Sequence, residues 1–129
     1  MIQAGARRLH TWLAWLFVAA VLVQVFLAGL AIFGATDGFG LHVDFGYTVI
    51  GLITLGVLLT AVAGSLSRRE IGLSLLLLVL YVVQTALPAA RASAPVIAAL
   101  HPVNALVLFA LGLIIARRGS DARSPEGSA

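Results

Sequence analysis

The chain contains no cysteine, which excludes disulfides, thiolate metal sites and covalent cofactor attachment through a CxxCH motif. Charge is nearly as scarce. Charged residues make up 10% of the 129 positions against 61% hydrophobic, and the mean hydropathy is +1.10. Such a composition excludes a soluble domain and a nucleic-acid surface, and identifies lipid as the main solvent of the chain.

What is present is a set of four uncharged stretches, Leu9 to Thr36, Phe45 to Ser67, Ile71 to Ala90 and Ala92 to Ala116. A helix rising 1.5 Å per residue needs roughly 20 residues to cross about 30 Å of hydrocarbon, and each stretch supplies them. Spans are expected at about 9–35, 42–66, 71–90 and 94–116. Short connections force neighbours to run antiparallel. The expected fold is therefore all-α, an integral membrane up-down four-helix bundle occupying 1–118. Residues 119–129, small and polar, are expected to form a disordered cytoplasmic tail.

Arginines set the expected orientation. Arg7 and Arg8 precede the first span, Arg68 and Arg69 join the second to the third, and Arg117, Arg118 and Arg123 follow the fourth. Basic residues flanking spans stay in the cytoplasm, so both termini should be inside, in the plasma membrane. Arg91, with Asp37 and Asp44, falls on the outer side. The first apolar run is far longer than the roughly 7 to 15 residues of a signal peptide and is expected to remain uncleaved.

Two histidines occupy matching places. His42 opens the second span and His101 the fourth; Gln24 precedes the first by eighteen positions and Gln84 precedes the second by seventeen. Gly46 and Ala105 follow their histidines by four, one turn along the same helical face, where a small side chain leaves room for a flat ligand. In a square bundle with adjacent axes about 8 to 10 Å apart, the second and fourth helices are diagonal neighbours. Two imidazoles reaching inward from that diagonal suit axial ligation of one haem iron better than a tetrahedral zinc site, for which Asp44 and Asn104 make no obvious set. Equally, each histidine could rest at the headgroup level and bond water.

The remaining polar residues receive provisional roles. His10, near Trp12 and Trp15, is expected in the interfacial belt, although a ligand or proton-relay role stays open. Gln24 and Gln84 are expected to hydrogen-bond across helices. Pro102 is expected to disturb the helix beside His101. Arg91 is placed to neutralise a propionate, or simply to sit at an interface.

The stretch VQVFLAGLAIFGATDGFGLHVDFGYTVIGL resembles one half of heme A synthase. That family is built from two tandem four-helix halves, each offering histidines at the outer ends of its second and fourth helices. The resemblance covers the four spans and implies bis-histidine haem ligation by His42 and His101. Its catalytic half carries a glutamate where this chain has Phe39, and an outer cysteine pair that is missing here. The resemblance is thus to the haem-holding half standing alone, or to small uncharacterised four-helix membrane proteins of the same layout, and does not imply oxidation of a haem methyl group.

The leading expectation is a small membrane haem b protein that transfers single electrons or holds haem near the outer leaflet, alone, as a homodimer, or with a membrane redox partner. A cofactor-free accessory protein is the alternative. A four-helix transporter is a third, disfavoured because no carboxylate is expected within a span to couple protons.

Overall fold

The computed structural model describes residues 1–122. It contains four long helices: α1 (Ile2–Ile32), α2 (Gly40–Ala63), α3 (Arg68–Ala92) and α4 (Pro95–Asp121), all long and apolar enough to cross a membrane. No strand occurs among the described residues. Each helix packs on its chain neighbours and α4 closes back on α1, whereas diagonal pairs have no substantial backbone contact. This is the square, up-down bundle expected.

Helix boundaries extend past the apolar runs, because charge marks where lipid ends and not where a helix ends. Arg7 and Arg8 are good helix formers, and α1 begins at Ile2 instead of near position 9. Arg7 donates from Nε to the carbonyl of Gly64 at 2.8 Å, tying this first turn to the α2–α3 connection. α3 begins at Arg68, capped by Ser67, whose hydroxyl accepts from Glu70 N while the Glu70 carboxylate accepts from Ser67 N. At its far end α3 tightens into a 3-10 segment, Leu87–Ala92. α4 is interrupted at Ala99 and resumes at Leu100, with Pro102 in the first turn of the resumed helix, where a missing N–H is tolerated.

One expected boundary is corrected. Residues 119–121 do not belong to a tail but to α4, because Trp15 Nε1 donates to Ser120 Oγ at 3.1 Å and Gly119 lies against Thr11. The rest of the expected tail, 123–129, lies outside the described residues.

Packing is uneven along the bundle. Toward the arginine-rich end, Ala14, Phe17, Val57, Leu77 and Ala116 are fully buried and form a continuous core with Ile53, Leu111 and Ile115. Close contact between such apolar helices depends on small residues that admit a neighbour. The ring of Phe17 fills the place a Cβ would take at Gly112, 2.6 Å from its ideal position. Toward the other end the side chains facing the axis do not close, and a cavity remains.

Gly112→Val should force α1 and α4 apart and lower unfolding stability in detergent by about 1–3 kcal/mol, the usual cost of overpacking. Thermal unfolding followed by circular dichroism measures it; an unchanged midpoint would show that the close approach at Gly112 is dispensable.

Candidate functional site

The hollow end of the bundle is bounded by two helix starts. α1 stops at a left-handed glycine, Gly34 (φ +73°), with Ala35 N bonded back to the Leu30 carbonyl, and the short connection reaches α2 so that His42 falls in its first turn. The break at Ala99 places His101 likewise in the first turn of the resumed α4. The two imidazoles face each other with ring centres 6.1 Å apart and planes inclined at 66°. The sequence expectation that these two side chains meet from diagonal helices is therefore realised.

Each ring is tethered by one nitrogen. Nδ1 of His42 lies 3.1 Å from the carbonyl oxygen of Gln24, and Nδ1 of His101 lies 3.0 Å from that of Gln84. A carbonyl only accepts, so in both rings Nδ1 carries the proton and donates it, leaving a lone pair on Nε2. For Gln84 the acceptor is free for a readable reason. Its normal helical donor would be the N–H of residue 88, which is Pro88 and has none. The two hairpins, α1–α2 and α3–α4, thus repeat one contact, and the internal similarity of the sequence corresponds to a similarity of structure.

The glutamine side chains then diverge. Gln24 donates from Nε2 to the His42 carbonyl at 2.7 Å, occupying the space beside Gly46 where a Cβ would lie 2.7 Å from that nitrogen. Room at Gly46 is used by this amide. Gln84 instead points its Nε2 at Nε2 of His101, 3.2 Å away, and accepts from Asn104 Nδ2 through Oε1 at 2.8 Å. Both glutamines bond across helices as expected. Phe39 packs edge-on against His42 with ring centres 5.9 Å apart.

Between the histidines opens a cavity of about 560 Å³, within the roughly 300–1,000 Å³ usual for cofactor and small-molecule sites. Its walls are mainly apolar, with Gly46 and Ala105 on opposite sides and Arg91 at the rim. Gly46–Ile50 of α2 form a π-helical turn, a distortion often found at functional sites. Tyr81 supports that turn from α3, its hydroxyl 3.2 Å from the Gly46 carbonyl and 3.3 Å from that of Tyr47. Among the described residues, no three of His, Cys, Asp and Glu are grouped so as to hold a metal ion by themselves. Axial ligation of a macrocycle-bound iron requires only two.

A family of unknown function, DUF6220, matches residues 24–91. The chain belongs to that family. No curated protein and no solved structure matches it. The DUF6220 match opens at Gln24 and closes at Arg91, so it takes in His42 and Gln84, while His101 lies beyond it.

In this DUF6220 chain His10 is not the interfacial residue expected from its neighbours. Trp12 and Trp15 face outward, but His10 is only 3% exposed, and its Nδ1 lies 2.9 Å from the Val57 carbonyl on α2. Helical phase puts it on the inner face, two positions away from Trp12. It lies at the arginine-rich end and apart from the other two histidines. Sequence reasoning also passed over Phe39 as a packing partner, Tyr81, Pro88 and the Asn104–Gln84 bond. Pro88 was the available signal, since it follows Gln84 by four and frees that carbonyl.

Long-range proton–nitrogen correlation spectra of the purified chain should show a proton on Nδ1 of His42 and on Nδ1 of His101. An Nε2–H pattern at either position would contradict the tether geometry.

Proposed function

We propose that this chain is an integral membrane haem b protein whose iron is held axially by Nε2 of His42 and Nε2 of His101, and which exchanges single electrons. The observation that carries this reading is the spacing of the two tethered rings. Two metal–imidazole bonds of about 2 Å each, with the ring radii added, separate the ring centres by about 6 Å. The distance here is 6.1 Å. Proton placement supports the same reading, because a histidine that ligates through one nitrogen characteristically donates its other N–H to a carbonyl or carboxylate. Both rings are so arranged.

When bound, haem supplies reversible one-electron chemistry at its iron. The residues of this chain do the rest. His42 presents an uncommitted lone pair, since its Nε2 has no hydrogen-bond partner among the described residues. His101 becomes available when the Gln84 amide turns away from its Nε2. Apolar walls exclude water, and Arg91 at the rim is a cation suited to a propionate. His42 and His101 would together hold the iron, and a haem so held by two protein nitrogens would supply electron transfer in preference to oxygen chemistry. Phe39 occupies the place of the glutamate in the heme A synthase-like pattern and offers no acid–base group, in keeping with a non-oxidising role.

The arginine-rich end, by the same reading, faces the cytoplasm, with Arg7, Arg8, Arg68, Arg69, Arg117 and Arg118 together there. Both termini are then inside a plasma membrane and the histidine pair lies toward the outer leaflet.

Reduced-minus-oxidised absorption spectra of detergent-purified protein from haem-supplied cells test the proposal. Sharp b-type bands at near one haem per chain are expected, lost in His42→Ala and in His101→Ala and kept in His10→Ala, with monodispersity in gel filtration showing that the variants fold. A folded, colourless parent protein, or haem retained by both outer variants, would refute it.

A further inference from the structure

The arginine-rich end contains a second, separate pocket of about 160 Å³ between α1, α3 and α4. Arg7, His10 and Thr11 face it from α1, Glu70 from α3, and Arg118 from α4. Two features distinguish it from a chance gap between charged helix ends. Nε of Arg118 is buried and has no hydrogen-bond partner among the described residues. Native proteins rarely leave such a donor unpaired, because burying it without an acceptor is costly. His10, almost wholly buried at the pocket wall, donates Nδ1–H to the Val57 carbonyl and so leaves Nε2 as an acceptor with no donor among the described residues, a partner for the hydroxyl of a phosphate monoanion and not for its charged oxygens.

The charge balance identifies what is missing. Glu70 is the one carboxylate among the described residues lining the pocket; its Oε2 accepts from Ser67 N at 3.0 Å and from Ser67 Oγ at 2.8 Å, and its charge offsets part of that of Arg118 without a hydrogen bond between them, leaving the two lining arginines in excess by one charge. Arg7 spends Nε on Gly64 and Nη2 on Ser65. Thr11 gives its hydroxyl to the Arg7 carbonyl. Of the two arginines lining the pocket, Arg118 is the one whose guanidinium has no acceptor among the described residues, and its planar fork matches the oxygens of a phosphate group. Arg8, Arg68, Arg69 and Arg117 lie at the same end and add a positive field that attracts anions.

We infer that this pocket binds a phosphate-bearing anion, with Arg118 as its principal donor and Arg7 as the second cation. Basic pockets between membrane helices commonly take phospholipid headgroups, and a free phosphate offers the same oxygens. Nothing in the assignment depends on haem, and its test does not read the haem spectrum.

The full chain in a neutral detergent is titrated separately with inorganic phosphate, short-chain phosphatidylglycerol and short-chain phosphatidylcholine, with sodium chloride at matched ionic strength as control. Thermal unfolding is the readout. A saturable rise of the midpoint with inorganic phosphate and with phosphatidylglycerol identifies a free-anion site; a rise with phosphatidylglycerol alone identifies a lipid headgroup. In either case Arg118→Gln should weaken the apparent affinity about tenfold or more, as expected for loss of a charge-assisted donor pair. Exposed Arg117→Gln removes the same charge and should leave the affinity within about twofold. Arg118→Lys, which keeps charge but loses the fork, should fall between them and covers the case in which the glutamine variant does not fold. No midpoint rise with any anion, a rise equal to that with phosphatidylcholine or chloride, or equal losses from Arg117→Gln and Arg118→Gln would overturn the assignment.

Discussion

The hollow end of the bundle depends on two hydrogen bonds of one kind, from an imidazole Nδ1–H to a glutamine carbonyl. Away from water a polar group that finds no partner is expensive, and in this half of the molecule the apolar core is too open to fix the helices by packing. Each tether joins the second half of one helix to the first turn of the next, Gln24 to His42 and Gln84 to His101. Polar bonds between membrane helices contribute about 1–2 kcal/mol at best. Their value here lies in register. A slip of one residue in either hairpin would rotate the ring by about 100° around its helix and separate it from both its carbonyl and the facing imidazole.

The two hairpins are similar but not equivalent, and the difference follows from residues at matching offsets. Three positions beyond His101 stands Asn104, which donates to Gln84 Oε1; three positions beyond His42 stands Phe45, which has nothing to donate. Gln24 Oε1 is left buried without a partner among the described residues. Four positions beyond the histidines, Gly46 leaves space that the Gln24 amide fills, whereas Ala105 holds a methyl group at the equivalent place and Gln84 turns its amide to the ring instead. The consequence is a pair of unequal Nε2 atoms: that of His42 has no hydrogen-bond partner among the described residues, and that of His101 is covered by the neutral Gln84 amide.

Much of this was legible in the sequence, for identifiable reasons. Composition alone dictates the four spans, and the alternation of short connections dictates the square bundle, so the diagonal meeting of His42 and His101 follows from topology. Gln24 and Gln84 were visible as polar residues in apolar spans, yet their amides drew attention and their backbone carbonyls hold the rings. His10 was misread because nearness to Trp12 and Trp15 in sequence says nothing about helical phase, and residues two apart on a helix face different ways. The ends of α1 and α4 were misplaced because arginine interrupts an apolar run without interrupting a helix. Pairing of Trp15 with Ser120 could not be read at all, since it depends on how far two antiparallel helices overlap.

The uneven packing of the bundle suits the function proposed for it. Phe17, Val57, Leu77 and Ala116 interlock the four helices at the arginine-rich end and make that end a rigid base. A cofactor site needs its ligands fixed but its cavity open, and helices clamped at one end and tethered at the other satisfy both demands. Electron exchange is fastest when the ligands hardly move between oxidation states. Rings held by Nδ1 to carbonyls, and backed by Phe39 on one side and the Gln84–Asn104 network on the other, are restrained in just this sense. A site meant to bind and release a small molecule at the metal would gain nothing from restraining both axial positions. On the reading proposed here, two imidazoles tethered through the same nitrogen and 6.1 Å apart would leave a bound iron no place for a small ligand, which is the argument for an electron carrier.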